Sequence, residues 1–123
     1  MATALVIEDN PDNMLLISDI LEANGYQVLQ AETGLQGVQM AESKLPDFII
    51  LDIQLPDIIG DEVLVRIRKI EKTKTIPVIA MTSYAMAGDR EKLLAAGCNG
   101  YVEKPIDIGN VMNQIKAIIG DVA

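Results

Sequence analysis

The run Phe48-Ile49-Ile50-Leu51 constrains this chain more than any other stretch. Four consecutive apolar residues, two of them β-branched, fit a strand covered on both faces, as in a parallel sheet with helices on either side. The run meets Asp52, and Pro56 four residues on cannot continue a ladder, so a loop must lead to Gly60. A carboxylate where a buried strand emerges is either a turn former or a working group. Taken alone, this stretch favours the turn former.

The flanking sequence repeats the strand–helix alternation. Leu5-Val6-Ile7 reads as a short buried strand with Glu8-Asp9 at its end. Asn10 can cap a helix that has Pro11 at its first position and Gly25 as its stop. Val28-Leu29, flanked by Gln27 and Gln30, suits a half-exposed edge strand, and Thr33-Gly34 opens a helix that ends before Pro46. After the central strand a helix from Gly60 to about Ile70 buries Val63, Ile67 and Ile70. Its acids lie at the start and its bases near the end, as the macrodipole favours. Ile76 to Met81 is another buried strand, followed by Thr82-Ser83 and by a helix from about Ala85 to Gly97. Asn99 to Glu103 is a last strand, and Lys104-Pro105 leads to a helix with Ile108, Val111, Met112, Ile115, Ile118 and Ile119 inward. Strands and helices thus alternate five times, which predicts an α/β fold, a doubly wound parallel sheet with helices on both faces.

Composition removes several functions. With 123 residues, half of them apolar, residues 1–123 are expected to form one domain with one core. The net charge of −8 works against binding a phosphate backbone, so no nucleic-acid partner is expected. Nothing reaches the ~18 apolar residues of a membrane span. No basic stretch precedes an apolar run at the start, and the lone Cys98 suits a small buried filler, so a cytoplasmic location is expected. With no His, any metal should be a hard cation held by oxygens.

In open parallel sheets the working site lies outside the carboxyl ends of the strands. Reading off those ends gives Glu8 and Asp9, Asp52, Thr82-Ser83 and Lys104. Each alone has an ordinary explanation as turn former, helix cap or solvated charge. Their coincidence at one end of four strands does not. Clustered carboxylates repel unless a cation neutralises them, and three without His or Cys suit Mg²⁺. One carboxylate can act as a nucleophile and become an acyl phosphate, with the metal and an ammonium offsetting the charge.

These pieces resemble a known family. Val6-Ile7-Glu8-Asp9-Asn10, Asp52-Ile53-Gln54-Leu55-Pro56 with Gly60, Pro77-Val78-Ile79-Ala80-Met81-Thr82, Ala96-Gly97 and Lys104-Pro105 are similar to the CheY-like receiver domains of two-component response regulators. The resemblance runs from Ala4 to Ile119, and in wording it is nearest to stand-alone receivers of the DivK type and to receivers of hybrid histidine kinases. It implies the flavodoxin-like strand order 2-1-3-4-5. It implies Asp52 as phosphoacceptor, supplied by a histidine kinase or histidine phosphotransfer protein. Asp9, Asp52 and the Gln54 main-chain carbonyl would hold Mg²⁺, with Glu8 acting directly or through water. Lys104 would bond the phosphoryl oxygens across a Lys104-Pro105 bond that is often cis. Thr82 would swing to the phosphoryl group and Tyr101 would turn inward, changing the surface of the fourth helix, last strand and last helix for a downstream protein. Gln54 and Tyr84 occupy positions that tune access of water. The implied molecule is a monomer or weak dimer, catalytic only toward its own phosphorylation and dephosphorylation.

Three rivals remain at this level. A haloacid dehalogenase phosphatase would want a second Asp two residues after the nucleophile, where Gln54 stands. A flavin-binding protein would need a phosphate cradle after the first strand, where Glu8-Asp9-Asn10-Pro11-Asp12 would repel phosphate. The third is the same fold used as a phosphorylation-independent interaction module.

Overall fold

In the computed structural model, residues 2–83 and 87–120 are described. The apolar runs form β1 (Thr3–Ile7), β2 (Gln27–Ala31), β3 (Phe48–Asp52), β4 (Val78–Thr82) and β5 (Gly100–Glu103). All pair in parallel, in the order β2-β1-β3-β4-β5. Between and after them lie α1 (Pro11–Ala23), α2 (Gly34–Lys44), α3 (Gly60–Lys69), α4 (Ala87–Ala96) and α5 (Val111–Ile119). The doubly wound architecture and its strand order are those expected.

Strand periodicity divides the core in two. Ala4, Val6, Phe48, Ile50, Ile79 and Met81 face one side, where Met14, Ile17 and Leu21 of α1 and Val111, Ile115 and Ile119 of α5 cover them. Leu5, Ile7, Ile49, Leu51, Val78 and Ala80 face the other, against Ala41 of α2, Val63, Leu64 and Ile67 of α3 and Leu93 of α4. A strand that feeds both layers must be apolar along the stretch they cover, and β3 and β4 are apolar and buried up to Asp52 and Thr82 at their ends. The edge strand β2 keeps Gln27 and Gln30 exposed. Cys98 is buried, as expected of a small filler.

Helix ends follow the local chemistry. The Asn10 side chain accepts the N–H groups of Asp12 and Asn13, and Gly25 takes a positive φ of 88° after α1. Leu45 closes α2 in the left-handed region at φ 49°, because Pro46 blocks continuation of the helix.

Three sequence expectations need correction. Ile108 was expected inward on the last helix. It is 65% exposed and precedes α5, which begins only at Val111. In α3 the fully buried positions are Val63, Leu64 and Ile67, with Ile70 half-buried beyond the helix end. β4 starts at Val78 rather than Ile76, since Pro77 has no N–H for the ladder. The expected start of the fourth helix at Ala85 lies outside the described residues.

Candidate functional site

The parallel register brings the strand ends level. Ile7 pairs with Leu51, Asp52 with Met81, and Thr82 with Glu103. Glu8 and Asp9 follow β1 directly, Asp52 ends β3, Thr82 ends β4, and Lys104 follows β5. One sheet edge therefore gathers every side chain read from the strand ends.

The backbone aims each group. The Glu8 N–H donates to Ala31 O at 2.9 Å, continuing the β1–β2 ladder by one residue, and the side chain is only 3% exposed. Its Oε2 accepts the Asn10 N–H at 3.4 Å, so the residue that caps α1 also fixes the turn bearing Glu8 and the exposed Asp9. Asp52 is 5% exposed, and its Oδ1 accepts the Gln54 N–H at 3.1 Å. The Lys104 N–H donates to Thr82 O at 2.8 Å, extending β5 so that the ammonium reaches inward. Lys104 Nζ stands 3.1 Å from Asp52 Oδ1 and 3.6 Å from Glu8 Oε1. The peptide bond Lys104-Pro105 is cis.

Glu8, Asp9 and Asp52 each offer a carboxylate oxygen, and these oxygens lie within 4.8 Å of one another. Such crowding has an electrostatic cost. Desolvation, a hydrogen bond with Asp52 and the Asp52 charge push the Glu8 carboxyl up to about 7, while Lys104 and the Asn10 N–H oppose them. A single ammonium does not neutralise three carboxyl groups. An all-oxygen set that drives one of its members to hold a proton near neutral pH fits a hard divalent cation, which removes that repulsion.

Other residues fall around this centre. Thr82 is buried at 4% exposure on the adjacent strand end. Tyr101 is half-buried, packs against the apolar layer under α3 and α4, and lines an open cleft with Glu103, Pro105, Asp107 and Gln114. Gln54 reaches the centre through its backbone, its side chain being exposed. Tyr84 lies outside the described residues. One residue carries no sequence signal of its own. Asp57, in the loop after β3, accepts two N–H groups from the start of α2, more than twenty positions away along the chain.

Comparison with known proteins agrees with this geometry. Residues 4–116 match the response regulator receiver domain family. The polar-differentiation response regulator DivK of Brucella ovis is 40% identical over 119 residues, covering 97% of each chain. Among solved structures, the receiver domain of a Pseudomonas aeruginosa sensor histidine kinase is 36% identical, with a TM-score of 0.88 and 98% of each chain covered. That protein carries a magnesium ion coordinated in its active-site cleft. The chemotaxis response regulator CheY4 of Vibrio cholerae shares the fold, with a TM-score of 0.91 at 24% identity over 96% of this chain and 98% of its own. The chain thus belongs to the response regulator receiver domain family of two-component signalling.

Proposed function

We infer that this receiver is switched by Mg²⁺-dependent phosphorylation of Asp52. The observation that carries the reading is the contact of Asp52 Oδ1 with Lys104 Nζ at 3.1 Å, inside a cluster of three carboxyl groups. Lys104 is the cation placed to stabilise charge on a phosphoryl group joined to Asp52. The donor would be a phosphohistidine on a kinase or phosphotransfer protein. An Asp52 carboxylate oxygen attacks phosphorus, the P–N bond breaks, and the imidazole leaves carrying a proton from solvent. The product is an aspartyl phosphate. Mg²⁺, held by Glu8, Asp9, Asp52 and the Gln54 main-chain carbonyl, would offset the charge on the transferring group.

Burial serves this chemistry, since charges in a site largely closed to water interact more strongly than in bulk solvent. Thr82 and Tyr101 are the residues through which occupancy would be felt. The Thr82 hydroxyl would turn to the phosphoryl oxygens, Tyr101 would move inward, and the α4–β5–α5 surface would change for a downstream protein. A two-state surface of this kind responds only to the difference in free energy that the phosphoryl group makes between its two states.

Intact-mass measurement after incubation with Mg²⁺ and acetyl phosphate tests the reading without a kinase. One phosphoryl adduct is expected on the wild type, with none on Asp52→Asn and none when magnesium is chelated. Failure of the folded wild type to gain the adduct would instead make the protein a phosphorylation-independent interaction module.

A further inference from the structure

We propose that Asp57 is a positioning residue for the metal centre. By bridging the loop after β3 to the first turn of α2, it holds the backbone on which Gln54 presents its carbonyl. The assignment rests on the receiver reading above.

Backbone hydrogen bonds close the base of the loop from Ile53 to Ile59, and Ile53, Leu55 and Ile58 pack against the core. The Ile53 N–H donates to Met81 O at 3.2 Å, and the Gly60 N–H returns to Ile53 O at 3.0 Å. The two ends approach so closely that a Cβ on Gly60 would stand 2.7 Å from the Ile53 Cα. Gln54 leaves this base with its N–H on Asp52 Oδ1, and Pro56 has no N–H with which to anchor the outer half.

Asp57 supplies the polar anchor of that outer half. Its Oδ1 accepts the Gly34 N–H at 2.8 Å and its Oδ2 the Leu35 N–H at 2.9 Å. Both donors belong to the free N–H groups at the start of α2, and Thr33 Oγ1 takes a third, from Gln36, at 3.1 Å. The helix that receives the carboxylate is not the one that follows the loop. α3 starts at Gly60 after Ile59, which makes no side-chain cap, while the neighbouring carboxylate reaches across to α2. The positive end of α2 favours the ionised form, and the Leu35 N–H, the largest influence, helps hold Asp57 below the usual carboxylate range. The joint is also shape-specific. A Cβ on Gly34 would come within 2.6 Å of Ile58 Cγ1 and 2.8 Å of Val63 Cγ2, so glycine lets the helix start seat directly on the loop.

A loop closed at its base and pinned near its tip leaves little freedom to the residues between. Preorganisation of this kind sets metal affinity, and losing a group that orients a ligand typically weakens binding. Asp57→Asn cannot satisfy both N–H groups, because one oxygen becomes an NH₂ donor. Thr33→Ala is the matched control, since it removes a cap from the same helix end and leaves the loop contact intact.

Titration of the uniformly ¹⁵N-labelled protein with Mg²⁺ reads the effect. Asp57→Asn should bind Mg²⁺ about tenfold more weakly than wild type. In the metal-free protein it should also exchange the Gly60 amide faster. Thr33→Ala should lower the melting temperature while leaving both readouts at wild-type values. If Asp57→Asn melts lower but binds Mg²⁺ as wild type does, Asp57 is a helix cap only and the assignment is wrong. Equal weakening in Thr33→Ala would also overturn it, by tracing the effect to α2 rather than to the loop. A wild type that binds no Mg²⁺ overturns this assignment and the receiver chemistry together.

Discussion

At the scale of single residues, Glu8 is where the site can be interrogated without a donor. Burial and the Asp52 carboxylate push its carboxyl from 4.5 up to about 7 in the metal-free protein. Between those values the folded protein holds a proton that the unfolded chain has released. Stability therefore falls as pH rises through the window, by on the order of 3 kcal/mol across it. Urea unfolding in EDTA at pH 5 and pH 7.5 should show this loss in wild type and not in Glu8→Gln; parallel slopes would count against it. Because Mg²⁺ needs the ionised carboxylate, its affinity should weaken as pH drops below about 7. Lys104 pulls in the opposite sense from Asp52, so Lys104→Ala should raise the Glu8 midpoint further in a carboxyl ¹³C titration. Glu8, Asp9, Asp52 and Lys104 were legible in the sequence because each ends a strand run or lies within two residues of its end, so chain position alone placed them at one edge. The upward shift of the Glu8 carboxyl was not legible, because it depends on a contact between different strands.

At the scale of elements, the Arg68 side chain ties together the opposite edge of the sheet under β4 and β5. In the sequence Arg68 reads only as one of the bases that suit the end of α3. In the fold its guanidinium donates to Gly97 O at 2.9 Å, Ile76 O at 2.7 Å, Lys74 O at 3.1 Å and Asn99 Oδ1 at 2.8 Å. Asn99 Oδ1 also accepts the Val78 N–H at 2.9 Å, so one cluster joins the last turn of α3, the start of β4 and the turn into β5. Gly97, at a φ of +117°, leaves room for it, since a Cβ there would stand 2.8 Å from Arg68 Cγ. A planar fork with several fixed donors can satisfy such dispersed carbonyls, whereas a lysine ammonium cannot. Arg68→Ala should lower unfolding stability by about 2–4 kcal/mol, and Arg68→Lys should recover little of it. Phosphorylation of Asp52 should persist in both, because the cluster lies at the N-terminal ends of β4 and β5, across the sheet from the site. A loss of phosphorylation in a folded Arg68→Ala would contradict that separation. Bonds spanning about thirty positions leave no mark in local periodicity, which is why the sequence shows the helix and not its tie.

At the scale of the whole molecule, the fold was legible because two-sided burial demands unbroken apolar runs, and β3 and β4 display them up to their last residues. Ile108 was misread for a related reason. An apolar residue three positions before Val111 matches helical spacing, but the chain reaches helical geometry only after Asn110, leaving Ile108 in the approach. Charge is organised on the same large scale. The first 43 residues contain no Lys or Arg, while Glu8, Asp9, Asp12, Asp19, Glu22, Glu32 and Glu42 are all acidic. Five of the ten basic residues lie between Arg66 and Lys74, around the far edge of the sheet. Glu8 and Asp9 after β1, Asp12 at the start of α1 and Glu32 after β2 lie at the end of the sheet that bears the site, while the basic segment from the end of α3 toward β4 lies at the other end. A small anionic phosphodonor must approach against that field, and screening reaches over about 10 Å at 0.1 M ionic strength. Phosphorylation by acetyl phosphate at saturating Mg²⁺ should therefore quicken about two- to fivefold as monovalent salt rises to about 150 mM. Neutralising Asp12 and Glu32 together, as Asn and Gln, should flatten the dependence while leaving the high-salt rate unchanged. A salt response that survives this double substitution would place the repulsion in the three site carboxylates themselves rather than in Asp12 and Glu32.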